Sequence, residues 1–310
     1  MRIIFAGTTD NAVEVLRYLN DTAKHEIVAV LTREDAFVGR KKLLTASPVA
    51  QYAESKGLKV LRANRVSESV NEQLEQYGAD LGIVVAYGAL LKRTTLELPQ
   101  HGWINIHYSL LPKLRGAAPV QRALINGDRE TGVTVFQLDE GMDTGPVHAQ
   151  LSTLIEPTEN ASALLSRLTS LAVTMLDEVL AKIAAGFDKA QPQLGEATSA
   201  QKLTRSESKI DFEKSALAIE GLVRGCNPEP MAWAELEGEP IRVLRVWALQ
   251  EPVQGLPAAS PGTVQSIGER VFVRAAKQSI LELLEVQPAS KRVMSAADWH
   301  RGLTGLVRLT

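Results

Sequence analysis

The segment Asn105-Ile106-His107-Tyr108-Ser109-Leu110-Leu111-Pro112 sets an amide and an imidazole two residues apart. Alternate side chains of a strand share a face, so Asn105 and His107 would point the same way at a strand end. An amide NH₂ can donate to a developing oxyanion, and an imidazole can donate a hydrogen bond or a proton. Acyl transfer to an amine needs both functions. Taken alone, the pair is more readily an Asn that caps a turn and a His satisfied in the core. Further along, Gly141-Met142-Asp143-Thr144-Gly145 brackets an acid with glycines between two predicted strands, which would let backbone approach a ligand closely. Asp143 could orient His107 or raise its pKa, although Asp between glycines is also ordinary turn chemistry.

Other chemistries lose ground. The first apolar run ends at Gly7 and continues Thr8-Thr9-Asp10, without the glycine triplet that cradles a dinucleotide pyrophosphate. The Walker lysine and its glycines are missing, and His and Cys show no metal-ligand spacing, so no metal is expected. Cys226 is the single cysteine of the 310 residues, which fits a reducing, cytoplasmic setting. The opening apolar run is too short for a signal-peptide core or a membrane span. The formal net charge of −2 means that a nucleic-acid partner would have to be held by local basic clusters. No strand or heptad pattern asks for a second copy, so a monomer is expected.

The elements that must position these residues follow from hydrophobic periodicity. Arg2 to Ala6, Ile27 to Leu31, Lys59 to Leu61 and Leu81 to Ala86 read as buried strands of a parallel sheet. Asp10 is placed to cap a helix carrying Ala12, Val13, Leu16 and Leu19, and Ser67 to cap one through Tyr77. Trp103 to Tyr108, Val133 to Leu138 and Val147 to Leu154 read as further strands, with a helix over Val120 to Ile125 and a long one over Asn160 to Ala185. The alternation predicts a doubly wound, Rossmann-like α/β layer over 1–187. A polar stretch over 188–208, with Pro192 and Gly195, is the expected linker. In 209–310, Ile210 to Cys226 reads as a helix. Short runs at Ala232 to Leu236, Ile241 to Leu249, Gly262 to Ile267, Arg270 to Ala275 and Ile280 to Val286 then predict a small OB-like antiparallel β-barrel.

Asn105-Ile106-His107 with Ser109-Leu110-Leu111-Pro112, then Arg115-Gly116-Ala117-Ala118-Pro119, then Asp143 between its glycines, together resemble the methionyl-tRNA formyltransferase family. The likeness covers nearly the whole chain. It begins at Ile4-Phe5-Ala6-Gly7-Thr8 and continues through Gly39-Arg40-Lys41-Lys42-Leu43 and Ser47-Pro48-Val49. It resumes at Ile210-Asp211-Phe212 and Arg224 to Pro230, and closes at Gln287 to Met294. Thr9 stands where proline is usual in that family, Asn11 where an aromatic is expected and Ser290 where glycine is commoner.

The resemblance implies that Asn105, His107 and Asp143 are catalytic and that the donor is 10-formyltetrahydrofolate. It implies a donor pocket formed by Val85, Tyr87, Gly88 and Leu91, by Ser109, Leu110, Leu111 and Pro112, and by Asp139. It also implies methionyl initiator tRNA as acceptor, held at Arg40, Lys41 and Lys42 and, in the second domain, near Lys291 and Arg292. On this reading Asn105 and His107 both donate to the oxyanion, and Asp143 favours the charged imidazole. Two alternatives stay open: a formyltransferase acting on a nucleotide-linked amino sugar, which would share the trio, and a catalytically silent RNA-binding module. Residues 205–310 carry 13 basic and 13 acidic side chains, so any RNA groove there must be local.

Overall fold

The computed structural model describes residues 1–39, 42–187 and 189–310. The chain forms two compact units that are not contiguous in sequence. The first comprises 1–117, 131–153 and 165–200; the second comprises 118–130, 154–164 and 201–310.

In the first unit a sheet is laid down in the order β5 (Val60–Arg62), β2 (Glu26–Thr32), β1 (Arg2–Gly7), β6 (Leu81–Val85), β7 (Trp103–His107), β8 (Glu130–Gln137) and β9 (Val147–Leu154). Strands β5, β2, β1, β6 and β7 pair in parallel, and β8 runs antiparallel to β7. Every side chain of β6 is buried, as expected for a strand covered on both faces. Its Gly82 lies opposite Trp103, and a Cβ there would run into the indole ring. The glycine therefore makes room for Trp103, whose Nε1–H donates to the Thr95 carbonyl at 2.8 Å.

Around the sheet stand α1 (Asp10–Thr22), α2 (Pro48–Ser55), α3 (Glu68–Gln76), the short α4 (Arg93–Leu96) and most of α6 (Ala161–Ala184). Ser67 caps α3 by accepting from Val70 N–H. Asp10 does not cap α1. Thr9 occupies that position without a side-chain cap bond, and Asp10 is the first helical residue, where its charge meets the positive end of the helix dipole. A hairpin, β3 (Ala36–Val38) with β4 (Leu43–Thr45), was not legible in advance. Phe37, Val38, Leu43 and Leu44 are all more than half exposed, so no buried face gave it a period to read.

The second unit holds α5 (Pro119–Asn126), α7 (Ala216–Cys226) and α8 (Ala296–Arg301) with an antiparallel sheet. Its strands are β10 (Ala232–Leu236), β11 (Glu239–Leu249), β12 (Thr263–Ile267), β13 (Arg270–Arg274), β14 (Ile280–Pro288), β15 (Met294–Ser295) and β16 (Val307–Arg308). They run β10-β11-β14-β13-β12-β16, with β15 on β14. A bridge between Leu236 and Leu309, with Glu235 and Thr310 exchanging backbone bonds, nearly closes the barrel. The helix expected over Ile210 to Cys226 begins only at Ala216. Ser215 caps it by accepting from Ala218 N–H, and Ile210 N–H is taken by the Trp233 carbonyl, which holds 210 extended. Ile210 and Phe212 are buried in the barrel core, so their apolar spacing reported burial and not helical pitch.

Candidate active site

Asn105 and His107 occupy the carboxyl end of β7, beside the end of β6, where parallel α/β sheets bind their ligands. His107 is 5% exposed. Its Nε2 lies 2.9 Å from the Leu114 carbonyl, which can only accept, so Nε2 carries the hydrogen. Nδ1 is thereby turned toward the Asp143 carboxylate, 3.7 Å away. The Phe136 ring of β8 packs against the imidazole edge-on, with centroids 6.4 Å apart.

Burial lowers the His107 pKa, and this outweighs the upward pull of Asp143 and of the Leu114 carbonyl. Asp143 pulls in the expected direction, toward the charged ring, but burial is the larger effect. Burial thus favours the neutral ring, with a lone pair on Nδ1 facing a carboxylate. That arrangement binds an incoming proton between two acceptors and titrates as a pair. It also withdraws the expected role of His107 as a direct oxyanion donor, because its hydrogen is committed to Leu114.

Asp143 sits at φ 54°, in the left-handed region that Asp enters more readily than most residues. Its Oδ2 accepts from Gly116 N–H at 2.7 Å. Gly116, at φ 119°, packs so tightly on the 198–200 segment that a Cβ would lie 2.9 Å from the Ala200 carbonyl oxygen. The glycines around Asp143 make room within the loop: a Cβ at Gly141 would overlap the Thr144 hydroxyl, and one at Gly145 the Gln137 carbonyl oxygen. Asp139 orders the same loop, accepting from Gly141 N–H at 3.0 Å and Thr144 Oγ1 at 2.6 Å.

Asn105 differs from its neighbours. Its Oδ1 is buried without a hydrogen-bond partner among the described residues, a condition shared there only by the Tyr52 hydroxyl among buried side-chain atoms. A buried amide oxygen left unsatisfied costs roughly 1–3 kcal/mol, so one two residues from His107 on the same strand is a candidate ligand contact.

Residues 1–180 match the family model described as formyl transferase, and 202–304 match that of the formyl transferase C-terminal domain. A methionyl-tRNA formyltransferase of Paenarthrobacter aurescens (strain TC1) is 45% identical over 303 residues, covering 98% of this chain and 97% of the relative. One of Leifsonia xyli subsp. xyli (strain CTCB07) is 47% identical over 305 residues, 98% of each. The chain belongs to the formyl transferase family, among the methionyl-tRNA formyltransferases. The crystal structure of WlaRD, a sugar 3N-formyl transferase obtained with dTDP and 5-N-formyl-THF, superposes with a TM-score of 0.65 at 17% identity over 94% of this chain and 99% of that one. At that identity the likeness concerns the fold.

Within this formyl transferase the other expected site residues are placed as follows. Val85 and Tyr87 are fully buried and Leu91 nearly so. Burial pushes the Tyr87 phenol up to about 12, and its hydroxyl donates to the Ala63 carbonyl at 2.6 Å. The Val85, Tyr87 and Leu91 side chains build core, leaving backbone and the exposed Leu90 as what this segment can offer a ligand. Thr8 Oγ1 donates to the Tyr87 carbonyl, and Arg33 Nη1 to the Gly88 carbonyl, which pins the turn through Gly88 at φ 84°.

Ser109 Oγ is spent on the Lys113 carbonyl at 2.6 Å. Leu111 is fixed through its N–H to Thr134 Oγ1 and its carbonyl to Gln150 Nε2, ahead of a cis bond to Pro112. Leu110 is half-buried, its side chain lying where a Cβ on Gly132 would fall. Arg40 and Lys41 lie outside the described residues. Lys42 is exposed in the β3–β4 turn at φ 46°, and Lys291 and Arg292 are exposed in the turn after β14.

Sequence reasoning missed Gln193 and Thr198. The polar stretch expected as a linker is bonded to the first unit from 191 to 200: Gln191 bridges Val147, Thr198 Oγ1 accepts from Leu114 N–H, and Ser199 bridges Arg115. Low hydrophobicity gave no signal for this, because backbone and amide bonds hold the segment and not apolar burial.

Proposed function

We propose that this chain transfers a formyl group from 10-formyltetrahydrofolate to the α-amino group of methionyl initiator tRNA. What carries the reading is the unpartnered Asn105 oxygen on the strand that also holds the buried His107, whose Nδ1 lies 3.7 Å from the Asp143 carboxylate. When the amine attacks the formyl carbon, negative charge grows on the formyl oxygen and the nitrogen must shed a proton. The Asn105 amide supplies a preorganised donor to that oxygen with its NH₂, while its free Oδ1 can accept from the amine. The Nδ1 lone pair of His107 and the Asp143 carboxylate, both acceptors, take up the proton together.

The acceptor is read from the near full-length identity to methionyl-tRNA formyltransferases and from the β3–β4 hairpin. Four apolar side chains exposed on so small a hairpin, next to the basic run at 40–42, call for a large partner that covers them. Lys42, Lys291 and Arg292 would meet phosphates. A small sugar nucleotide has little use for any of these.

The test is direct. Purified protein is supplied with 10-formyltetrahydrofolate and either Met-tRNA with the initiator acceptor stem, elongator Met-tRNA or an amino-sugar nucleotide. Formylation of the initiator species is expected. Product from the sugar nucleotide alone would overturn the acceptor, and no product from any acceptor would overturn the enzymatic reading.

A further inference from the structure

We propose that Gln193 is a positioning residue that locks Asp143 into its left-handed conformation and so holds the Asp143 carboxylate against Nδ1 of His107. The inference rests on the reading of His107 and Asp143 given above. A primary amide has two hydrogens and two acceptor lone pairs, and Gln193 uses all four. Nε2 donates to the Asp143 carbonyl and to the Gly145 carbonyl, each at 2.8 Å. Oε1 accepts from Arg115 Nη2 at 2.6 Å and from Arg115 Nε at 3.2 Å.

Asp143 is therefore gripped at both ends: its carboxylate by Gly116 N–H and its carbonyl by Gln193. A non-glycine residue at φ 54° relaxes toward negative φ unless its surroundings over-determine it. Rotation there swings the carboxylate away from the imidazole. Gln193 removes that freedom, because its other hydrogen fixes the carbonyl two residues on and its oxygen is braced by Arg115.

Arg115 in turn donates its own N–H to Thr198 and accepts from Ala200 N–H. The brace is thus built into the 191–200 segment and the 114–116 turn, the same turn that supplies the Leu114 acceptor to His107. Gln193 touches no reacting atom. Its effect must appear through the His107–Asp143 pair. Around the ring, Asp143 is the charged group, with the Leu114 carbonyl on the far nitrogen and Phe136 of β8 at the edge, among the described residues.

Gln193→Met keeps the length of the side chain, adds no charge and removes all four bonds. Two readouts are taken. Imidazole titrations in the free protein are followed by NMR, with the His107 signal assigned by its loss in His107→Gln. Formyl transfer kinetics are measured with Met-tRNA. The His107 titration is expected to move to lower pH, because a displaced Asp143 no longer favours the charged ring, while the other four histidines are unchanged. Turnover is expected to fall about 10- to 100-fold, with KM for the folate within about twofold. Combined with Asp143→Asn, the second change should cost almost nothing further.

An unmoved His107 titration, or a loss of turnover that simply adds to that of Asp143→Asn, would overturn the proposal. If the Met variant fails to fold, Gln193→Glu keeps the Arg115 brace while losing the donors, and the same non-additivity with Asp143→Asn decides. Because the titration needs no substrate, it judges Gln193 even if the chain proves to formylate a different acceptor.

Discussion

The barrel surface and the end of β7 treat their polar side chains in opposite ways. On the barrel, charges on neighbouring strands answer one another: Arg270 bonds Glu282 at 2.8 and 2.6 Å, Arg245 meets Glu285 at 3.3 Å, and Arg242 bonds Gln287 at 3.0 Å. At the end of β7 the polar groups point inward, and the Asn105 oxygen is left without a partner among the described residues. Mutual satisfaction at a wet surface gives solubility and a little stability. A buried polar atom without a partner costs stability and is kept where a ligand can repay it.

The sharpest way to break this comparison is to truncate the inward-facing groups. Asn105→Ala should lower turnover by about 10²–10³, as for a lost oxyanion donor, and His107→Ala by about 10²–10⁴, as for a lost proton acceptor, while melting stays cooperative. Wild-type turnover in either variant would make the unpartnered amide a packing accident.

A second expectation concerns pH. Burial depresses the His107 pKa in the folded chain below the value near 6.5 of an unfolded one. Below about 6.5 the unfolded chain therefore binds a proton that the folded one refuses, and stability falls as pH drops from there toward the folded pKa. In His107→Gln that acid-side loss should shrink in urea melts taken across the window. His25 is also lowered by burial and will keep part of it. No change in slope would contradict the neutral ring.

Smaller effects belong to the outward-facing charges. Lys42→Ala, Lys291→Ala and Arg292→Ala should weaken Met-tRNA binding, and each lost phosphate contact should make the plot of log affinity against log salt shallower by about 0.7–0.9. Unchanged slopes would remove these residues from the acceptor surface. Smallest of all, Arg245→Ala should shift barrel stability by less than about 1 kcal/mol, because both partners of the pair are exposed. A larger loss would show that the barrel's charge pairs do more than keep it soluble.

Much of the first unit was legible because period and burial coincide there. β1, β2, β6 and β7 lie within about a residue of their apolar runs, and Ser67 caps where its side chain and the following helix pattern say it should. Legibility failed where a residue's partner is distant in sequence. Ile210 and Phe212 mimic a helical stripe, but Ile210 is bonded to the Trp233 carbonyl, Phe212 lies in a turn, and both are buried in the barrel core. The space beside Gly141 and Gly145 is taken by Thr144 and Gln137, and Gln137 is too far along the chain for the local pattern to show it.

What the sequence determined by itself is local: the alternating strands and helices, the Asn105 and His107 pair on one strand face, and the motifs that place the chain among the formyl transferases. Tertiary structure alone decided which nitrogen of His107 holds the hydrogen, because that depends on the Leu114 carbonyl returning over the ring. It alone turned 191–200 from an apparent linker into the segment that carries Gln193 to Asp143, fifty residues away in the chain. Hydrophobic periodicity announces burial along one element, whereas a hydrogen bond between distant loops has no period and becomes visible only when the chain has closed on itself.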